Sequence, residues 1–387
     1  MIPYGKQDIN QADIDAVLEV LKSDFLTQGP KVPLFEKTVS DYCGVGYAVA
    51  VNSATSALHI ACQALGLDAG DWLWTSPNTF VASANCGLYC GAKVDFVDID
   101  TKTYNMSVEA LKTKLEIAKR EQKLPSVVVP VHFAGQSCDM QEIHELSLQY
   151  GFKIIEDASH AIGGRYLEEQ VGSCHYSDIT VFSFHPVKII TTAEGGMVTT
   201  NDKCLADKMG RLRTHGITRD ADLMEGNIDG SWHYQQIELG FNYRMTDIQA
   251  ALGVSQLTRI DSYISRRHEI KERYDYLLKD ISVITPSQSS AAYSALHLYP
   301  IQVISGPDGP GRLQVFNQLR ASGIGVNVHY IPVHTQPFYR KFGFQEGDFP
   351  EAEAYYRNSI SLPMYPTMTD AQQDEVVLAL KQALIRE

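Results

Sequence analysis

Val127-Val-Val-Pro-Val131, an amphipathic run from Met140 to Tyr150, and Lys153-Ile-Ile-Glu156 follow one another directly. The outer two have the length and apolar character of buried strands, and the middle one has helical spacing. A strand, a helix and a second strand in this order predict two parallel strands joined by a crossover helix. The same alternation extends towards the N-terminus. Tyr47-Ala-Val-Ala-Val51 reads as a strand, Asn52-Ser53 as a turn, and Leu58, Ala61, Cys62 and Leu65 mark one face of a helix. Trp72 to Thr75 and Val94 to Val97 read as strands, with helices near Phe80 to Tyr89 and from Ser107 to Glu121. Strand–helix repetition over this length predicts a largely parallel sheet with helices on both faces. After Gly163, Ile179 to Phe182 and Met197 to Thr200 read as strands joined by a loop.

The flanks differ. Asn10 is placed to cap a helix with Asp13, Val17, Leu18 and Leu21 along it. From Thr246 a long helical region is expected through Gln256, Ile260, Ile264 and Tyr274. A mixed module follows: strand Tyr299 to Ile304, helix Leu313 to Ala321, strand Val326 to His329 and a last helix from Asp370. The expected division is a large domain over 1–245 and a smaller α/β domain over 246–387. Ser287 to Ala292 reads as a mobile loop.

Composition narrows the function. With 387 residues the chain should form two or three units. Its 44% apolar and 20% charged residues describe a folded globular protein. The net charge of -13 is the wrong sign for tracking nucleic-acid phosphates. An odd number of cysteines, seven, mostly among apolar residues, suits reduced thiols in the cytoplasm. Cys86 and Cys90 lack a second pair at zinc spacing, so no metal is expected. No leader segment and no membrane span are expected, since the uncharged stretch Trp72 to Ala92 is broken by Pro77, Asn78 and Asn85.

Four segments carry chemistry. Asn52-Ser-Ala-Thr-Ser-Ala57 opens a helix just after a strand, where free N–H groups and hydroxyls suit a phosphate. Simple capping by Ser53 or Thr55 explains the same residues. Glu156-Asp-Ala-Ser-His160 places Asp157 at a strand end, in a crevice that calls for a facing cation or for donors. Structural capping by Asp157 and a satisfied structural His160 are the plainer alternatives. Phe182-Ser-Phe-His-Pro-Val-Lys188, followed by Thr191-Thr-Ala-Glu-Gly-Gly196, holds a lysine in an apolar, hydroxyl-rich loop. Desolvation there favours the neutral, nucleophilic amine, although most lysines simply lie on the surface. Leu239-Gly-Phe-Asn-Tyr-Arg244 supplies donors in Asn242 and Arg244, or else merely precedes a helix capped by Thr246 or Asp247. A helix-start cup, a strand-end aspartate and a loop lysine together meet the needs of pyridoxal 5'-phosphate. The lysine forms the Schiff base, the aspartate keeps the ring nitrogen protonated, the cup takes the phosphate, and Phe80 stacks on the ring. A P-loop is absent, and Cys43-Gly-Val-Gly46 precedes a strand instead of following one.

Ser183-Phe-His-x-x-Lys188 with Glu194-Gly-Gly196, Glu156-Asp-x-x-His-Ala161 and Gly240-x-Asn-x-Arg244 resemble the DegT/DnrJ/EryC1/StrS family of sugar aminotransferases. The resemblance runs from Leu26-Thr-Gln-Gly29 to Ile360-Ser-Leu-Pro363. It is strongest towards the branch that transfers an amino group to C4 in pseudaminic acid synthesis. The wider family often carries glycine at the positions of Ala54 and Ala193. The resemblance implies the aspartate aminotransferase-like fold of type I pyridoxal phosphate enzymes. It implies that Lys188 links the cofactor and shuttles the proton, and that Asp157 pairs with the pyridine nitrogen. His160 also belongs to the implied cofactor site. Ala54, Thr55 and Ser183 hold the phosphate, joined by Asn242 from a second subunit. Tyr4, Asp24, Phe25, Leu26, Thr27, Arg244, Asn327, Val328, His329 and Tyr330 are the implied contacts to the nucleotide sugar. The implied substrates are L-glutamate and a UDP-linked 4-keto-6-deoxy-N-acetylhexosamine, and the implied assembly is a homodimer with shared active sites. Alternatives are a family member acting on a 4-amino-4-deoxyarabinose or perosamine precursor, or a non-enzymatic regulator on the same fold. A dehydratase of this fold would carry histidine in place of Lys188.

Overall fold

The structure is a computed structural model and describes residues 1–304 and 310–385. Seven strands form the main sheet: β1 Tyr47–Val51, β2 Trp72–Thr75, β3 Lys93–Phe96, β4 Val127–Val129, β5 Lys153–Asp157, β6 Ile179–Ser183 and β7 Gly196–Thr200. Their order is β1-β7-β6-β5-β4-β2-β3. β5 pairs in parallel with β4 and with β6, while β7 lies antiparallel between β6 and β1. The sheet is therefore parallel apart from one strand, and buried on both faces as such sheets require. Val127, Val128 and Val129 are all buried. The last residues of β5 and β6, Asp157 and Ser183, lie at the same end of the sheet.

A second, three-stranded antiparallel sheet contains β8 Val283–Ile284, β9 Tyr299–Val303 and β10 Ser359–Leu362, in the order β8-β9-β10. Ile270, Tyr274, Leu319, Val376 and Leu380 pack in one cluster with these strands. Ile2 joins the same cluster, and its backbone bonds Gly323 and Gly325. Met364 N–H donates to Tyr4 O at 3.0 Å. The first four residues are thus tied to the second sheet, which is what brings Tyr4 to the cleft described below.

Several expectations are corrected. The helix expected from Phe80 begins at Ala82. The helical region after Thr246 is two helices, Asp247–Leu257 and Ile260–Leu278. At the break the Thr258 hydroxyl donates to Ser255 O at 2.6 Å, and the Arg259 side chain turns to Asp13. A hydroxyl competing for a helix carbonyl favours such a break. Val326 to His329 is not a strand, because only Asn327 bridges to Ser361. Ser287 to Ala292, expected as a mobile loop, is tied along its length: Gln136 Nε2 donates to Ser287 O (3.4 Å), Ser289 N–H donates to Gln136 Oε1 (2.7 Å), Ala291 O accepts from Leu167 N–H (2.6 Å), and Ala292 pairs with Tyr166. Asn10 does cap the helix Gln11–Leu21 in a reciprocal capping box with Asp13. The buried residues of that helix are Asp13 and Val20, while Leu18 and Leu21 are exposed. The Asp13 carboxylate receives bonds from Arg259, Ser255 and Gln256.

Six cysteines are buried and Cys204 is exposed. Among the described residues, no helix is long and apolar enough to cross a membrane, and no side-chain group could hold a metal ion.

Candidate active site

A cleft of about 450 Å³ opens between the C-terminal ends of the main sheet's strands and the side chains of His297, His329 and Tyr330. Ligands of open α/β sheets bind at this end. Another groove, of about 580 Å³, lies between Trp72, Trp74 and the helix Val108–Glu121, away from all four chemistry-bearing segments.

The floor of the cleft follows from local structure. Ser53 caps the helix Ala54–Ala64, accepting from Ser56 N–H, so the first N–H groups of that helix stay unused by it. The start of β7 crosses close to this helix start. A Cβ on Gly196 would meet Ser53 C and O at 2.5 Å and Ala54 N at 2.6 Å. Only glycine fits, so Gly196→Ala should push β7 and the cup apart. We expect a loss of about 1–3 kcal/mol in stability, typical of overpacking, together with faster loss of bound cofactor. Thermal melting and dialysis against buffer measure the two.

Asp157 is 4% exposed and ends β5. Ser83 donates to its Oδ2 at 2.6 Å and Ser159 N–H to its Oδ1 at 3.1 Å. Lys188 lies on the loop between β6 and β7. Phe184 N–H donates to Gly195 O, and Thr192 N–H and the Thr191 hydroxyl donate to Phe184 O, all at 3.0 Å, which closes the loop. Enclosure lowers the Lys188 amine to about 8, and the nearby Asp157 carboxylate opposes the shift without cancelling it. On the same loop Ala193 has φ 66°, a left-handed conformation that glycine adopts freely and that costs other residues roughly 1–2 kcal/mol.

Three histidines and a tyrosine enclose the far side. His160 Nε2 bonds the Tyr330 hydroxyl at 3.1 Å, and His329 Nδ1 bonds the Ser361 hydroxyl at 2.8 Å. Burial is the main cause that drives the His160 and His297 imidazoles well below their usual range, and His329 to about 3; Lys188 adds to it in all three. Phe80 is 60% exposed at the mouth, its ring 6.5 Å from that of Tyr330.

The cleft thus gathers Tyr4, Ala54, Thr55, Phe80, Asp157, His160, Ser183, Lys188, His329 and Tyr330. Others of the expected residues stay outside it. Asp24, Phe25, Leu26 and Thr27 are exposed, with Leu26 O accepting from Asp247 N–H. Asn327 bonds Tyr4 and so stands one residue behind the lining, and Val328 N–H donates to Asn327 Oδ1 (2.8 Å). Arg244 and Tyr243 lie beside the end of β1 in the same chain, through the bridge Val51–Arg244 and the bond from Asn52 N–H to Tyr243 O (2.8 Å). Asn242 bridges to Thr214. Neither Asn242 nor Arg244 lines the cleft, and Arg244 instead borders a separate recess of about 220 Å³. Sequence reasoning missed Ser83, Ser159 and His297. A histidine in the apolar run Ala295-Leu-His-Leu298 was a visible signal, whereas Ser83 had none beyond its small-residue helix.

An enclosed amine of lowered pKa, a buried carboxylate held by two donors and an open helix start form a donor set that fits pyridoxal phosphate. Comparison with known proteins agrees. The chain is 41% identical over 383 residues to the spore coat polysaccharide biosynthesis protein SpsC of Bacillus subtilis, covering 98% of this chain and 96% of that one. It is 40% identical over 370 residues to the UDP-4-amino-4,6-dideoxy-N-acetyl-beta-L-altrosamine transaminase of Campylobacter jejuni, covering 95% and 93%. Its fold matches the solved structure of Helicobacter pylori PseC, an aminotransferase involved in the biosynthesis of pseudoaminic acid, with a TM-score of 0.90, 30% identity and 99% of each chain covered. The DegT/DnrJ/EryC1/StrS aminotransferase family matches residues 7–381, and the chain belongs to that family of pyridoxal phosphate-dependent sugar aminotransferases.

Proposed function

We propose that the protein moves the amino group of L-glutamate to C4 of a UDP-linked 4-keto-6-deoxy-N-acetylhexosamine, the transfer used in pseudaminic acid synthesis, and that it does so in the cytoplasm. The observation that carries the reading is the convergence of Lys188, Asp157 and the Ala54 helix start in one cleft. Likeness to the Campylobacter transaminase and to PseC supports the choice of sugar. A 36% identity over 374 residues to the GDP-perosamine synthase of Caulobacter vibrioides supports a second reading, the same transfer onto another nucleotide sugar.

When bound, pyridoxal phosphate supplies a carbonyl for the donor nitrogen and a ring that accepts an electron pair. Lys188 Nζ would hold the cofactor and, once displaced from it by the donor amine, would take the proton from the glutamate α-carbon and later deliver one to C4 of the sugar. A lowered pKa suits an amine that must accept and release protons near neutrality. Asp157, fixed by Ser83 and Ser159, would present its carboxylate to the ring nitrogen. The N–H groups of Ala54 and Thr55, with the Ser183 hydroxyl, hold the phosphate. His160 would flank the cofactor inside the cleft, with Phe80 at the mouth. Tyr4, Asn327 and the segment Val328 to Tyr330 orient the sugar. Incubation with glutamate and candidate UDP-keto sugars, with products identified by mass and proton NMR, tests the assignment. A 4-amino-4,6-dideoxy product supports the first reading, and amination of only a different nucleotide sugar replaces it with the second.

Asn242, Arg244 and the segment Asp24 to Thr27 serve the site across a two-fold interface in this reading. Their exclusion from their own chain's cleft supports it, and a two-fold contact forms two such sites at once. Mixing Lys188→Ala subunits with Asn242→Asp subunits tests it. With Asn242 acting in trans, one site of each mixed dimer takes both defects and the other is intact. Activity should recover towards half that of a wild-type dimer per heterodimer. With Asn242 acting in cis, every site is defective and no activity returns.

A further inference from the structure

His297 lies just ahead of β9 and is 4% exposed. Its ring meets that of His160 with centroids 4.4 Å apart. The Nδ1 atoms of both rings are buried without a hydrogen-bond partner. The backbone that carries His297 is held from two sides. Arg267, itself 1% exposed, donates from one guanidinium nitrogen to the carbonyls of Leu296 (3.1 Å), His297 (3.2 Å) and Met364 (3.2 Å). On the other side Ala295 N–H donates to Gly135 O at 2.9 Å, and a Cβ on Gly135 would meet Leu296 N at 2.7 Å and His297 N at 2.9 Å. An imidazole on so constrained a backbone has a fixed place, as a group that orients another must have.

We propose that His297 is a positioning residue for His160: its ring covers one side of the His160 imidazole, excludes water from it and keeps it neutral and aimed by its bond to Tyr330. The proposal rests on the reading of the cleft given above. The groups facing His297 are His160, Lys188, Arg267 and His329. Those facing His160 are Lys188, His329, His297 and the Tyr330 hydroxyl. Asp157 lines the same cleft and acts on Lys188 and on Tyr330, while Lys188 and Arg267 oppose protonation of the pair in the same direction as burial. A neutral His160 leaves Lys188 as the titrating base of this part of the cleft.

Removing the ring opens a polar cavity that water can enter. His160 then loses part of its desolvation, and its pKa rises towards the ordinary value of about 6.5. Protonation begins as pH falls through that value, so kcat/KM of the variant should fall more steeply on the acid side than that of the wild type, whose acid side is set by Lys188 alone. The test uses holoenzyme carrying carbon-13 histidine, with the His160 ring signal assigned by His160→Gln. In the wild type and in His297→Phe, which keeps a ring in place, His160 should stay neutral from about pH 6 to 8; in His297→Ala it should titrate within that window. kcat of His297→Ala should fall by about tenfold with KM little changed, while His297→Phe stays within about threefold of wild type. An untitrated His160 or an unchanged kcat in His297→Ala overturns the proposal, and so does a loss in His297→Phe as large as that in His297→Ala. The ring signal does not depend on turnover. Absence of wild-type transfer to any keto sugar would therefore count against the proposed function and leave the His297 test standing.

Discussion

Lys188→Ala is expected to reduce kcat at least about a thousandfold, the scale of losing a nucleophile that no neighbour replaces. Among the described residues, no other lysine lines the cleft. The cup and Asp157 are untouched by this change, so cofactor already joined to the amino donor should still bind, and the visible spectrum would report it. Steady-state turnover with glutamate and the keto sugar is the measurement, and a variant retaining a tenth of wild-type kcat would remove Lys188 from the chemistry. The wild-type lysine also carries a pH signature. Its amine is lowered from 10.5 to about 8, first by desolvation. The neutral form grows as pH rises through that value, so cofactor-free protein should capture added pyridoxal phosphate faster at pH 9 than at pH 7. An ordinary surface lysine would still be almost wholly protonated over that range.

Asp157→Asn is expected to slow turnover at least about a hundredfold, comparable to removing other preorganised electrostatic groups. Asparagine keeps the size of the side chain, and its oxygen can still accept from Ser83 or from Ser159 N–H. What it lacks is the charge that favours a protonated ring nitrogen. A near-normal kcat would show that the carboxylate serves only those two bonds. A matching loss in Ser83→Ala, smaller than that of Asp157→Asn, would show how much of the effect depends on holding the carboxylate still.

Much of this was legible in the chain because it depends on local pattern. Strands such as Val127–Val129 and Lys153–Asp157 are short apolar runs, and parallel strands buried on both faces have to be so. Asp157, Lys188 and the Ala54 helix start each lie at a strand end or on the loop that follows one, so the alternation alone brought them to one side of the sheet. What stayed hidden depends on contacts between distant residues. Val326 to His329 has the composition of a strand, yet it pairs only through Asn327, while Val326 packs into the core of the second sheet and His329 turns to the cleft. The break after Leu257 comes from Thr258 and from the attraction of Arg259 to Asp13, which is more than two hundred residues away. His297 looked like one histidine in an apolar run, and only the fold sets it against His160. Ala193 sits in a left-handed turn where the resembled family often has glycine, so the strain is readable only once φ is known.

In the proposed function Lys188, in one cleft with Asp157 and the Ala54 helix start, holds the cofactor. Borohydride reduction of the yellow holoenzyme, followed by digestion and mass analysis, tests it most directly. A phosphopyridoxyl group is expected on the peptide containing Lys188 and on no other lysine. Stable labelling at a different lysine, with Lys188 unmodified, would contradict it.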